Sequence, residues 1–82
     1  MTKLTIVVLD KDTEEEIEES ENTVINLTTG RNISVRQDGY YHLEDGNRYC
    51  VKTEYGSEIQ ASNVIPRDEY REECFYFRRE RG

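Results

Sequence analysis

The stretch that decides the fold is Tyr49–Val64, "YCVKTEYGSEIQASNV". Within it Tyr49, Val51, Thr53 and Tyr55 alternate with Cys50, Lys52 and Glu54, continuing from Arg48. A period of two turns one face of an extended chain toward a core and the other toward water, so this is a strand. Tyr55-Gly56-Ser57 follows, and because glycine reaches positive φ without a Cβ clash, the chain turns there and returns as "EIQASNV".

The same pattern extends in both directions. Upstream, Asp38-Gly39 and Asp45-Gly46-Asn47 carry hairpin-turn chemistry, and "TVINLTT" and "NISVRQ" are β-branched runs separated by a Gly-Arg pair. At the start, "KLTIVVLD" is the most apolar run, with Leu4, Ile6 and Val8 on one face and Thr5, Val7 and Leu9 on the other, which predicts a central strand covered on both sides. Downstream, Pro66 presets φ for at most one short helical turn over residues 66–73. The run "CFYFRR" then closes as a strand with Phe75 and Phe77 inward. Strands about ten residues apart with turn signals between them indicate an all-β barrel or sandwich of antiparallel hairpins. The organisation expected is a single domain over 1–82: an acidic hairpin (1–22), a β-meander (23–66), then a short turn, a C-terminal strand and a basic tail (67–82).

At 82 residues the chain can bury only about 60–65% of its unfolded surface, so the core is small and a large substrate cleft is not expected. Hydrophobic residues make up 34% and charged residues 35%, toward the polar end of globular composition, while eight aromatics argue against disorder. The net charge of −7 is unevenly placed. Residues 1–22 hold eight Asp/Glu against two Lys, residues 23–66 five against four, and residues 67–82 five against five. A net-acidic chain repels phosphate backbones, so direct nucleic-acid binding is disfavoured, and the terminal "RRERG" reads as a solvated basic tip. No run reaches the length of a membrane span or has the form of a secretory leader. A cytoplasmic protein with Cys50 and Cys74 reduced and buried or half-buried is the expectation.

The acidity concentrates in Asp10–Glu21, "DKDTEEEIEESE". In the register of a helix-loop-helix calcium site, Asp10 and Asp12 fall on positions 1 and 3 and Glu21 on position 12, but position 6, where a sharp turn needs glycine, is Glu15. The flanking sequence is strand-like rather than helical. Asp10 and Asp12 read instead as turn-formers whose carboxylates bond nearby backbone amides. The run beyond them carries a capping box, Thr13 to Glu16, yet its sole apolar anchor is Ile17, so a polar edge strand is favoured over a helix.

Arg48–Pro66, "RYCVKTEYGSEIQASNVIP", resembles the late strand–turn–strand unit of SH3-like small barrels such as Tudor-like and myosin amino-terminal modules. The resemblance covers 19 of the 82 residues, and the acidic amino-terminal segment and the chain beyond Pro66 depart from that pattern. What it implies is a small barrel with a binding role, without naming a ligand.

The chemistry-bearing residues are few. Zinc needs at least three good ligands, and Cys50, Cys74 and His42 have no paired spacing, so no metal or cofactor is expected. His42 has no nucleophile or orienting carboxylate that spacing would place beside it. Phosphate-binding loops, dinucleotide fingerprints and nucleophile elbows are absent from the sequence, and a non-catalytic protein is expected. Two binding surfaces stand out. Glu14, Glu15, Glu16, Glu18, Glu19 and Glu21 form a negative strip suited to docking on a basic surface of another protein, as small acidic inhibitors of phages and mobile elements do by analogy. Alternatively, Tyr40, Tyr41, Tyr55 and Tyr76 form an aromatic patch for a peptide on an SH3-like module. A structural homodimer that completes its core by strand pairing is a third alternative.

Overall fold

Alternating apolar residues and glycine turns build seven strands in a computed structural model that describes residues 1–79. These are β1 (Thr2–Asp10), β2 (Glu21–Asn26), β3 (Arg31–Ile33), β4 (Tyr41–Leu43), β5 (Tyr49–Tyr55), β6 (Glu58–Val64) and β7 (Tyr70–Phe77). They form two sheets, one of order β4-β1-β7 and one of order β3-β2-β5-β6, so the protein is all-β and is built as two open sheets rather than a closed barrel.

The second sheet is antiparallel throughout, but residues 23–66 are not the one continuous meander expected: β2 and β3 form one hairpin, β5 and β6 another, the two are joined through β2 and β5, and β4 between them belongs to the first sheet. Val24 pairs with Val51 and with Ile33, and Tyr49 and Asn26 pair across β5 and β2. The β5–β6 hairpin closes through Gly56 at φ 60°. The β2–β3 turn is fixed by Asn26, whose Oδ1 accepts from the amides of Thr28 (2.9 Å) and Thr29 (3.1 Å) while its carbonyl accepts from Gly30.

The first sheet departs from a hairpin plan. β1 and β7 run parallel over eight residue pairs, from Lys3–Tyr70 to Asp10–Phe77, although they lie at opposite ends of the chain. A parallel pair needs a long crossover, and here the whole second sheet serves as that connection. Two of the four glycine turns are consequently not hairpins. Asp38-Gly39 precedes β4, which pairs with β1, and Asp45-Gly46 carries the chain from β4 in one sheet to β5 in the other. The short helical turn expected over 66–73 does not form. Pro66 is buried in an irregular segment and β7 begins at Tyr70, because the alternation of Arg71, Glu73, Phe75 and Phe77 binds that stretch to β1.

One core joins the sheets: Leu4, Val8, Ile17, Val24, Leu43, Tyr49, Val51, Val64, Phe75 and Phe77 are buried together. β1 is central in its sheet, as its apolar run predicts, but it is not covered on both sides. Leu4 and Val8 are buried, whereas Lys3, Thr5, Val7 and Leu9 on the opposite face are only half-buried. The molecule measures 42 × 22 × 21 Å. Since β1 runs from Thr2 to Asp10, and β2 and β5 pair with Asn26–Tyr49 at one end and Glu21–Glu54 at the other, the strands define two ends with different charge.

Candidate functional site: an acidic loop and a basic groove

The acidic segment leaves β1 at Asp10, and this residue organises the reversal. Asp10 is 5% exposed; its carboxylate accepts from the amide of Asp12 (2.8 Å), its carbonyl accepts from the amide of Glu14, and its own amide donates to the Glu15 carbonyl. Asp10 is thus a turn-former. Asp12 is not; its carboxylate lies 3.9 Å from Arg78. Glu14 sits at φ 61°, the one non-glycine residue with positive φ among those described.

Beyond this turn the expected edge strand does not form. Residues 14–20 form no strand: past the Asp10 turn they hold one isolated antiparallel bridge, Glu16 to Leu9, and the bond from Ile17 N–H to the Val8 carbonyl at 2.8 Å. The cause is composition: a run of glutamates with one apolar residue has only Ile17 to bury, and Ile17 is 3% exposed. The side chains therefore divide cleanly. Ile17 enters the core, and Glu14, Glu15, Glu16, Glu18, Glu19 and Glu21 are all exposed.

Two features of this end were not singled out from sequence. Glu21 lies directly opposite Glu54 in the β2–β5 ladder, a like-charge pair that costs stability and extends the negative surface onto the second sheet. Arginines from the end of β7 also reach the loop: Arg79 donates to the Glu16 carbonyl (3.0 Å) and lies 3.8 Å from the Glu15 carboxylate. Of the basic tip, Arg78 and Arg79 are therefore in contact with the acidic loop, and residues 80–82 lie outside the described residues.

The four tyrosines do not share a surface. Tyr40 meets the ring of Tyr70 edge-on at 6.0 Å, with Lys3 Nζ 5.9 Å from each ring. Tyr41 and Tyr55 pack against the core, Tyr55 edge-on to Phe77 at 5.8 Å. Tyr76 is 42% exposed at the far end of β7 from Tyr70. Near Tyr40, Asp38 binds the His42 ring nitrogen Nε2 (2.8 Å), accepts from the Tyr40 amide (3.0 Å) and lies 3.6 Å from Lys3. The amide of Tyr40, then the ring of His42, hold the Asp38 carboxyl below its usual range, against a small opposing effect of desolvation. His42 does have an orienting carboxylate, then, four residues before it.

Cys50 is half-buried and Cys74 is exposed, both free, so the expectation of burial fails for Cys74, which sits at an outward phase of β7. Its thiol donates to Glu72 (3.2 Å), and this bond, followed by desolvation and the charges of Glu72 and Glu73, pushes its pKa up. Among the described residues no group of three His, Cys, Asp or Glu side chains is placed to hold a metal ion. No helix among them is long and apolar enough to cross a membrane.

At the opposite end from the acidic loop is a groove of about 430 Å³. Arg31, Asn26 and Tyr49 stand side by side across β3, β2 and β5, and Arg36, His42 and Glu44 are among the other polar residues that line it. The signal for Arg31 is visible in the sequence: it shares the phase of Ile33 and Val35 and so occupies a face otherwise apolar.

Comparison with known proteins matches the chain to no family model, and no curated protein or solved structure is significantly similar to it.

Proposed function

We propose that this is a non-catalytic protein that binds another protein by docking its acidic loop on a basic surface, of the kind that otherwise holds nucleic acid. The observation that carries this reading is the disposition of residues 10–21: six glutamates exposed around one buried isoleucine, on a backbone tied to β1 at Asp10, Glu16 and Ile17. A charged surface held in place loses less conformational entropy on binding than a free tail, and like-signed charges brought together raise the association rate with an oppositely charged partner. The opposed Glu21 and Glu54 support the same reading, since they concentrate charge at a cost to the fold.

The test is charge reversal at Glu14, Glu16 and Glu18, all exposed, in a protein used to capture its partner from the native cell. In low salt the triple lysine variant is expected to lose at least about tenfold in affinity, chiefly through a slower association rate, and the wild-type rate is expected to fall with added salt. Unchanged affinity in low salt would sink the proposal.

A further inference from the structure

The groove at the other end of the molecule holds donors without acceptors. Asn26 is 6% exposed, and its Oδ1 is occupied by two backbone amides, which fixes its Nδ2 toward the Tyr49 hydroxyl at 3.4 Å. The Glu44 amide donates to the same hydroxyl at 2.8 Å. Tyr49 Oη therefore accepts twice, and its own proton, on a residue 1% exposed, has no acceptor among the described residues. A buried hydroxyl proton without a partner marks a place for one.

Arg31 and Arg36 line the same groove, and neither guanidinium makes an ion pair or side-chain hydrogen bond among the described residues. Arg31, Asn26 and Tyr49 lie in register on the core-facing side of the second sheet, so a cation, an amide and a phenol are aligned across three strands. Ile33 and Val35 add an apolar wall. Glu44 is the counter-charge, with its carboxylate 3.5 Å from the Asn47 amide nitrogen. His42 is engaged with Asp38.

We infer that this groove binds a small phosphate monoester, with Arg31 and Arg36 on the phosphate, the Tyr49 hydroxyl and the Asn26 amide donating to its oxygens, and Ile33 and Val35 against the organic part. Two guanidinia match a dianion, and guanidinium donors fit phosphate geometry. The groove volume falls within the range of about 300–1,000 Å³ of small-molecule sites.

The test is an NMR titration of the whole protein with phenyl phosphate, and separately with inorganic phosphate, at physiological salt. The expected result is saturable shifts of the Asn26 side-chain amide and the Arg31 and Arg36 Nε–H groups, with phenyl phosphate the tighter ligand. Arg31→Ser and Arg36→Ser, both exposed and outside the core, should each weaken binding at least about tenfold, the order carried by one charge-assisted hydrogen bond. Glu44→Gln should tighten it. The triple reversal of Glu14, Glu16 and Glu18 should leave it unchanged, which separates this site from the loop. Shifts that do not saturate, saturable binding that survives loss of both arginines, or inorganic phosphate bound as tightly as phenyl phosphate would each overturn the inference.

Discussion

Ile17→Ala is the most informative single change, because it removes no charge from the acidic loop yet removes its hold. The side chain is 3% exposed and belongs to the common core. Truncation deletes three carbons, worth about 2.4 kcal/mol at ~0.8 kcal/mol each. If the site does not collapse, a void of ~80 Å³ at ~24 cal/mol per Å³ adds up to about 2 kcal/mol. The expected loss is therefore about 2.5–4 kcal/mol, a large part of the ~4–12 kcal/mol total that a chain of this length is expected to have. Urea unfolding measures it, and hydrogen exchange at residue 17 follows the N–H bond to Val8. Glu16→Ala and Glu18→Ala, at exposed neighbours, should cost under ~0.5 kcal/mol. Should Ile17→Ala cost no more than Glu16→Ala, with exchange at residue 17 unaltered, the loop is not held by this anchor and its description as a fixed surface is wrong.

Three further outcomes are expected. Glu14→Gly should be neutral or stabilising by up to ~1 kcal/mol in chemical denaturation, because φ 61° penalises a side chain with a Cβ, and a clear destabilisation would refute that conformation. Asp38→Asn should be less stable than wild type at neutral pH, with the difference vanishing in acid. The folded carboxyl titrates below its usual 3.8, so its contribution is present above that value and is lost as pH falls through the lower folded one; a difference that persists in strong acid would contradict this assignment. Glu72→Gln should speed alkylation of Cys74 by iodoacetamide at neutral pH, since it removes the acceptor and the charge that keep the thiol protonated, and an unchanged rate would exclude Glu72 as the cause.

What the chain discloses about this fold depends on whether the determining interaction is local. Tyr49–Tyr55 is legible because burial on one face imposes its period directly, and the Gly56 hairpin because positive φ is a local demand. Phe75 and Phe77 read as inward for the same reason. Nothing local distinguishes parallel from antiparallel partners, so the β1–β7 pairing escapes a reading by hairpins, and with it the true roles of Asp38-Gly39 and Asp45-Gly46 as connections. The segment 14–20 is misread as an edge strand because a run with one apolar anchor argues against a helix without arguing for a ladder, while the deciding fact is that Ile17 alone draws it onto β1. The acidic residues are legible as a cluster, whereas Arg31 joins Asn26 and Tyr49 only through the ladder that spans β3, β2 and β5, and Arg36 only through the loop that follows β3.

That ladder also separates the two candidate surfaces. Glu21 and Asn26 stand at opposite ends of β2, five residues and roughly 17 Å apart at about 3.4 Å per residue, and the long axis of the molecule is 42 Å. At physiological ionic strength exposed charges are screened over about 8 Å, so the loop and the groove sense each other's charge little. A basic partner is drawn to the acidic end and meets the molecule with the groove pointing away from it. Coupling between two ligands is reciprocal and needs an element that both bias; here the strands joining the ends are paired along their length and offer one arrangement. Partner binding and phosphate binding should therefore be additive, and a measured change in one affinity on saturating the other would locate a second conformation of the β2–β5 ladder.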